Sequence, residues 1–139
     1  MFDDCYEGPP VAGQGVLTSL SGQPRGLVTE RVVRAGQTFD LSVFGRVGDE
    51  VRLFWTADTG FRFNPFLRGA WLLDGAASTT FEPAGTIGAS GSLVVPRAQG
   101  ALPAGLLGVR MYVQPVLLDV TGRRTLGNPV ALLALDGAL

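Results

Sequence analysis

Thr38-Phe39-Asp40-Leu41-Ser42-Val43-Phe44 alternates with a period of two: Phe39, Leu41 and Val43 fall on one side, Thr38, Asp40 and Ser42 on the other. A segment of this kind is a strand with one buried face. It is bounded by turn signals, Ala35-Gly36 before it and Gly45 to Gly48 after it. The next stretch repeats the pattern, with Val51, Leu53 and Trp55 on one side and Glu50, Arg52, Phe54 and Thr56 opposite. Outward from this pair, further strands are expected at 16–20, 27–34, 70–73, 93–95, 108–120 and 130–135. Helical spacing is confined to a brief turn at 102–107, which Pro103, Gly105 and Gly108 keep short. About eight short strands separated by turns predict an all-β fold, an immunoglobulin-like or related antiparallel β-sandwich. Gly8-Pro9-Pro10 and Gly13-Gln14-Gly15 mark residues 1–15 as a flexible N-terminal arm, leaving 16–139 as a single sandwich domain.

Composition agrees with a packed unit. The chain has 139 residues, 46% of them apolar and 17% charged, with 20 glycines and nine prolines. A domain of this length buries enough surface to fold without disulfides or metal. There is no histidine and one cysteine. Those absences exclude His-based triads, the usual Cys/His zinc sites and an internal disulfide, and no cofactor is expected. Cys5, in the arm, is a candidate interchain thiol. No run of 18 or more apolar residues predicts a membrane span. The opening Met1-Phe2-Asp3-Asp4-Cys5-Tyr6-Glu7 lacks the basic and apolar regions of a leader, so a leader is absent or removed.

All 11 cations are arginine, and the net charge is −1. Coding bias in a GC-rich genome accounts for the missing lysine ahead of selection for bidentate contacts. The arginines are scattered along the sequence, with only Arg123-Arg124 adjacent, so no concentrated basic face is expected and no nucleic-acid partner. Carboxylates are the remaining acid–base groups: Asp40, Asp49, Glu50, Asp58, Asp74, Glu82, Asp119 and Asp136. Most lie in turns, where Asp serves the backbone. No two are paired by spacing, and neither Asp3-Asp4 with Glu7 nor Asp49-Glu50 has the ligand density of a calcium loop. The expectation is a non-enzymatic chain with no catalytic or metal-binding residues.

The order of segments from Gly36-Gln37-Thr38-Phe39 through Val51-Arg52-Leu53-Phe54-Trp55, Arg68-Gly69-Ala70-Trp71 and Gly91-Ser92-Leu93-Val94-Val95-Pro96 continues in Leu102-Pro103-Ala104-Gly105-Leu106-Leu107-Gly108, Met111-Tyr112-Val113-Gln114 and Gly127-Asn128-Pro129-Val130. It resembles small Gly/Pro-rich β-sandwich domains of uncharacterised secreted or cell-surface bacterial proteins. The resemblance implies an immunoglobulin-like sandwich in an extracellular or cell-surface setting, and it implies no active site.

Strand parity supplies the candidate surface. With Val51, Leu53 and Trp55 inward, Phe54 faces out beside Arg52. With Val109, Met111, Val113 and Leu117 inward, Tyr112, Val116 and Leu118 face out beside Arg110 and Gln114. Large apolar groups on that face require a cover: the 1–15 arm, the 60–70 loop, or a second copy of the chain. The leading expectation is therefore a structural subunit that self-associates through Phe54, Tyr112, Val116 and Leu118 into a homo-oligomer or filament, with arm or strand exchange as the mechanism. The alternative is a carbohydrate- or other ligand-binding module using an aromatic platform of Phe61, Phe63, Phe66 and Trp71, with a glycan as partner. A virion decoration or fibre protein is the third reading.

Overall fold

The structure, a computed structural model, describes residues 25–73 and 80–138. Among them are 12 strands and no helix: β1 (Gly26–Thr29), β2 (Val32–Arg34), β3 (Thr38–Phe44), β4 (Glu50–Thr56), β5 (Thr59–Phe63), β6 (Leu67–Arg68), β7 (Ala70–Leu73), β8 (Thr80–Thr86), β9 (Ser92–Ala98), β10 (Gly108–Leu118), β11 (Arg124–Leu126) and β12 (Val130–Leu135). One sheet runs β1-β3-β9. The larger sheet is built on β10, which pairs with β4 along one edge, β8 pairing in turn with β4. Along its other edge β10 pairs first with β12 and then with β11. The chain is all-β.

The alternation in β3 and β4 builds the core. Leu41, Val43, Val51 and Leu53 are fully buried and Phe39 nearly so, in one cluster with Leu27, Val33, Ile87, Val95, Val113, Leu117, Leu132 and Ala134. Side chains of both sheets meet there, as in a sandwich. Trp55 and Met111 pack against this cluster as parity predicts. Pro115 sits inside the central strand β10, a position that normally needs its backbone N–H. The partner strand changes at that point: β12 ends opposite Val113 and β11 begins opposite Val116. The missing donor falls in the gap, where the Pro115 carbonyl accepts from Gly127 N at 2.9 Å. A Cβ on Gly127 would lie 2.7 Å from Pro115 Cγ, so glycine is required there.

Several elements differ from the sequence reading. The expected strand at 27–34 is two strands in different sheets, β1 antiparallel to β3 and β2 parallel to β12. The β6–β11 pair is also parallel, so the sandwich is mixed and has more strands than expected. β8 contains Pro83, Ala84 and Gly85, poor strand formers, and joins the edge of β4 with a register shift at Val51/Arg52. Segment 102–107 forms a single turn, Leu106 N to Pro103 O, and no helix. The arm at 1–15, Cys5 and the expected strand at 16–20 lie outside the described residues. No helix among the described residues is long and apolar enough to cross a membrane.

Candidate functional site

On the outer face of β4 and β10 the chain covers itself. Val116 is 4% exposed, and Phe54, Tyr112 and Leu118 are half-buried. The cover is the β5–β7 hairpin, within the segment 59–73. Phe54 meets Trp71 edge-to-face at 4.7 Å between centroids and also touches Phe81 at 5.0 Å. The clip is Gln114, a fully buried polar side chain on the outward face of β10. Its Oε1 accepts from Leu72 N at 3.0 Å, and its Nε2 donates to Ala70 O at 2.9 Å and to Gly127 O at 3.0 Å. An amide suits this place because it offers both a donor and an acceptor to the edge of β7. The hairpin thus covers part of the apolar face assigned to self-association: Val116 is buried, while Phe54 and Leu118 stay half-buried along a cleft.

The hairpin leaves a cleft of about 420 Å³ beside it, lined by Arg52, Phe54, Arg62, Asn64, Leu67, Trp71, Val116, Leu118 and Arg124. Arg52 projects outward from β4, ion-paired to Glu50 at 2.9 Å, with its guanidinium carbon 5.5 Å from the Phe81 ring centre. The side chains of Arg62 and Arg124 make no hydrogen bond or ion pair among the described residues. A second depression, lined by Pro65, Phe66, Arg68, Gly122, Arg123 and Arg124, adjoins the first and shares Arg124 with it.

Local chemistry explains how these side chains converge. Parallel pairing of β11 with β6 sets Arg124 opposite Leu67 and Thr125 opposite Arg68. Gly69 permits the approach: its φ is +117°, and a Cβ would lie 3.1 Å from Leu126 Cβ. The turn from β10 to β11 is tied by Asp119, whose Oδ1 accepts from Thr121 Oγ1 (2.6 Å), Thr121 N (2.8 Å) and Arg123 N (3.0 Å). The Thr121 hydroxyl holds the Asp119 carboxyl below its ordinary range, helped by the two backbone donors and the Arg123 charge and opposed by desolvation. Asn64 Oδ1 accepts from Phe66 N at 2.9 Å and shapes the loop between β5 and β6.

The expectation of no concentrated basic face is therefore corrected. Arg52, Arg62, Arg68 and the adjacent Arg123 and Arg124 come from separate segments, yet the fold brings them to two adjoining depressions whose linings contain no carboxylate among the described residues. The adjacent Arg123-Arg124 and the outward parity of Arg52 were the available signals; the β6–β11 pairing that unites them with Arg62 and Arg68 carries no periodic signature. Of the aromatic platform, Trp71 walls the first cleft, while Phe61 and Phe66 stand 79% and 81% exposed. Phe63 lies on β5.

The candidate carboxylates are mostly engaged elsewhere. Asp49, 1% exposed, takes a bidentate ion pair from Arg25 at 2.8 and 3.1 Å and a third bond from Arg46 N at 2.9 Å. The hydrogen bond to Asp49 holds the Arg25 guanidinium above its ordinary pKa against the opposing cost of burial. Glu82 accepts from Arg97 and from Trp55 Nε1. No group of three or more His, Cys, Asp or Glu among the described residues could hold a metal ion.

No family model matches the chain, and no curated protein sequence does. Among solved structures the chain is similar to the superoxide reductase (neelaredoxin) from Ignicoccus hospitalis, with 9% identity over 81% of each chain and a TM-score of 0.45. With Val116 buried and Phe54 packed on Trp71 of the chain's own hairpin, the reading as a self-associating structural subunit is withdrawn. At this identity and TM-score the likeness assigns no activity.

Proposed function

We propose that the chain is a binding domain whose cleft beside the β5–β7 hairpin takes an anionic ligand with a flat apolar part, and that it binds this ligand without converting it. The observation that carries the reading is the pair Arg62 and Arg124, facing the same cleft as Phe54 and Trp71 with no carboxylate among the described residues of the lining. Arginine forks match carboxylate and phosphate oxygens, and hydrogen bonds to charged groups contribute about 1.5–3 kcal/mol. The rings offer a complementary apolar wall, and the cleft volume is in the range of small-ligand sites.

Calorimetric titration with phenyl phosphate, and with phenol as its uncharged counterpart, tests this reading. Saturable heat with phenyl phosphate, none with phenol, and loss of the signal in the double variant Arg62→Ala/Arg124→Ala are expected. Equal binding of phenyl phosphate by that variant, or no binding at millimolar concentration, would overturn it.

A further inference from the structure

We infer that the ligand is a single-stranded nucleic acid laid across both depressions, its phosphates tracked by Arg62, Arg124, Arg123 and Arg68. The inference rests on the anion-binding reading and names its ligand class.

Three observations carry it. The first is continuity: Arg124 lines both depressions, so a polymer leaving the hairpin cleft meets further arginines at the second. The second is the kind of hydrogen bonding on offer. Among the described residues the second depression offers no side-chain acceptor, and the first cleft offers only the Asn64 amide oxygen, which already accepts from Phe66 N. A hydroxyl-rich sugar polymer donates as well as accepts, whereas a phosphodiester only accepts, so a lining of guanidinium donors suits the phosphodiester. The third is the rings. Phe66, 81% exposed, stands among the arginines of the second depression, and Phe54 and Trp71 wall the first. Bases freed from a duplex stack on such rings whatever their sequence, while a charged groove follows the backbone. Stacked base pairs of a duplex keep their faces hidden, and no helix among the described residues enters a major groove.

Fluorescence anisotropy of a labelled oligothymidylate of about twelve nucleotides tests the inference, with a duplex of equal length and polygalacturonate as comparators and thymidine monophosphate as the single unit. The oligothymidylate is expected to bind at least about tenfold more tightly than the monophosphate and the duplex. Its log affinity should fall with log salt at a slope near −0.7 per phosphate engaged, about −3 for four arginines. Arg68→Ala should weaken the oligonucleotide several-fold and reduce that slope by about 0.7. Phe66→Ala, at an exposed ring that folding does not need, should cost about fivefold or more.

If the monophosphate binds but the oligonucleotide binds no tighter, the inference fails and the anion-binding reading stands. If duplex or polygalacturonate binds as tightly as the oligonucleotide, the inference also fails, with charge alone or an acidic glycan in its place. If neither oligonucleotide, monophosphate nor phenyl phosphate binds, both readings fail together.

Discussion

The same side chain is used in opposite ways in two regions of this molecule. At the corner between β3 and β4, Arg25 is nearly buried and both oxygens of Asp49 are committed to it. Beside the β5–β7 hairpin, Arg62 and Arg124 face a cleft whose lining holds no carboxylate among the described residues. An arginine matched by a buried acid holds structure together, because neither charge tolerates losing the other. An arginine with its fork directed into an unfilled cleft contributes little to folding and keeps its donors for a ligand.

The largest expected effect breaks the first region. Asp49→Ala leaves the part-buried Arg25 guanidinium and Arg46 amide without their acceptor and should cost about 3 kcal/mol in urea unfolding. A loss under about 1 kcal/mol would show the corner to be no different from the cleft. Gln114→Leu comes next. It keeps the bulk but strips partners from Leu72 N, Ala70 O and Gly127 O, for an expected loss of about 2–3 kcal/mol. Because the hairpin forms one wall of the cleft, affinity for phenyl phosphate should fall in the same variant; unchanged affinity would mean that the hairpin does not shape the site.

Smaller effects sharpen the second region. Arg124→Ala should lower ligand affinity about tenfold, or ~1.4 kcal/mol, while shifting folding stability by no more than about 0.5 kcal/mol. A stability loss as large as that of Asp49→Ala would place Arg124 with the structural arginines. The smallest effect is at Asp119, whose carboxyl titrates below its ordinary range chiefly through Thr121. Because its folded pKa is depressed, its contribution to stability is present above the ordinary carboxylate pKa and fades as pH falls through the lowered value. Carbon NMR titration should find its midpoint below the ordinary carboxylate range, and Thr121→Ala should raise it.

Much of the architecture was legible in the sequence, because burial of one face writes a period of two. Phe39, Leu41 and Val43, and then Val51, Leu53 and Trp55, point inward as their alternation requires. The same parity left Phe54, Tyr112, Val116 and Leu118 outward and in need of a cover, and the 60–70 segment was among the candidates. The identity of the cover was not legible, since it depends on Gln114 meeting the edge of β7 across 42 positions of sequence. Leu27 and Val33 share the parity of one strand, so the passage from one sheet to the other at Glu30 and Arg31 leaves no mark. The cleft was least legible of all. Its arginines meet through β6 and β11, strands of two and three residues, too short for any pattern.

The most direct test of the account follows the arginine side chains themselves. The Nε–Hε resonances of all 11 arginines can be recorded in one spectrum while phenyl phosphate is added. Saturable shifts of Arg62 and Arg124, with Arg52 following and Arg25 unmoved, are predicted. Shifts spread evenly over exposed arginines such as Arg31 and Arg110, or none at Arg62 and Arg124, would contradict it.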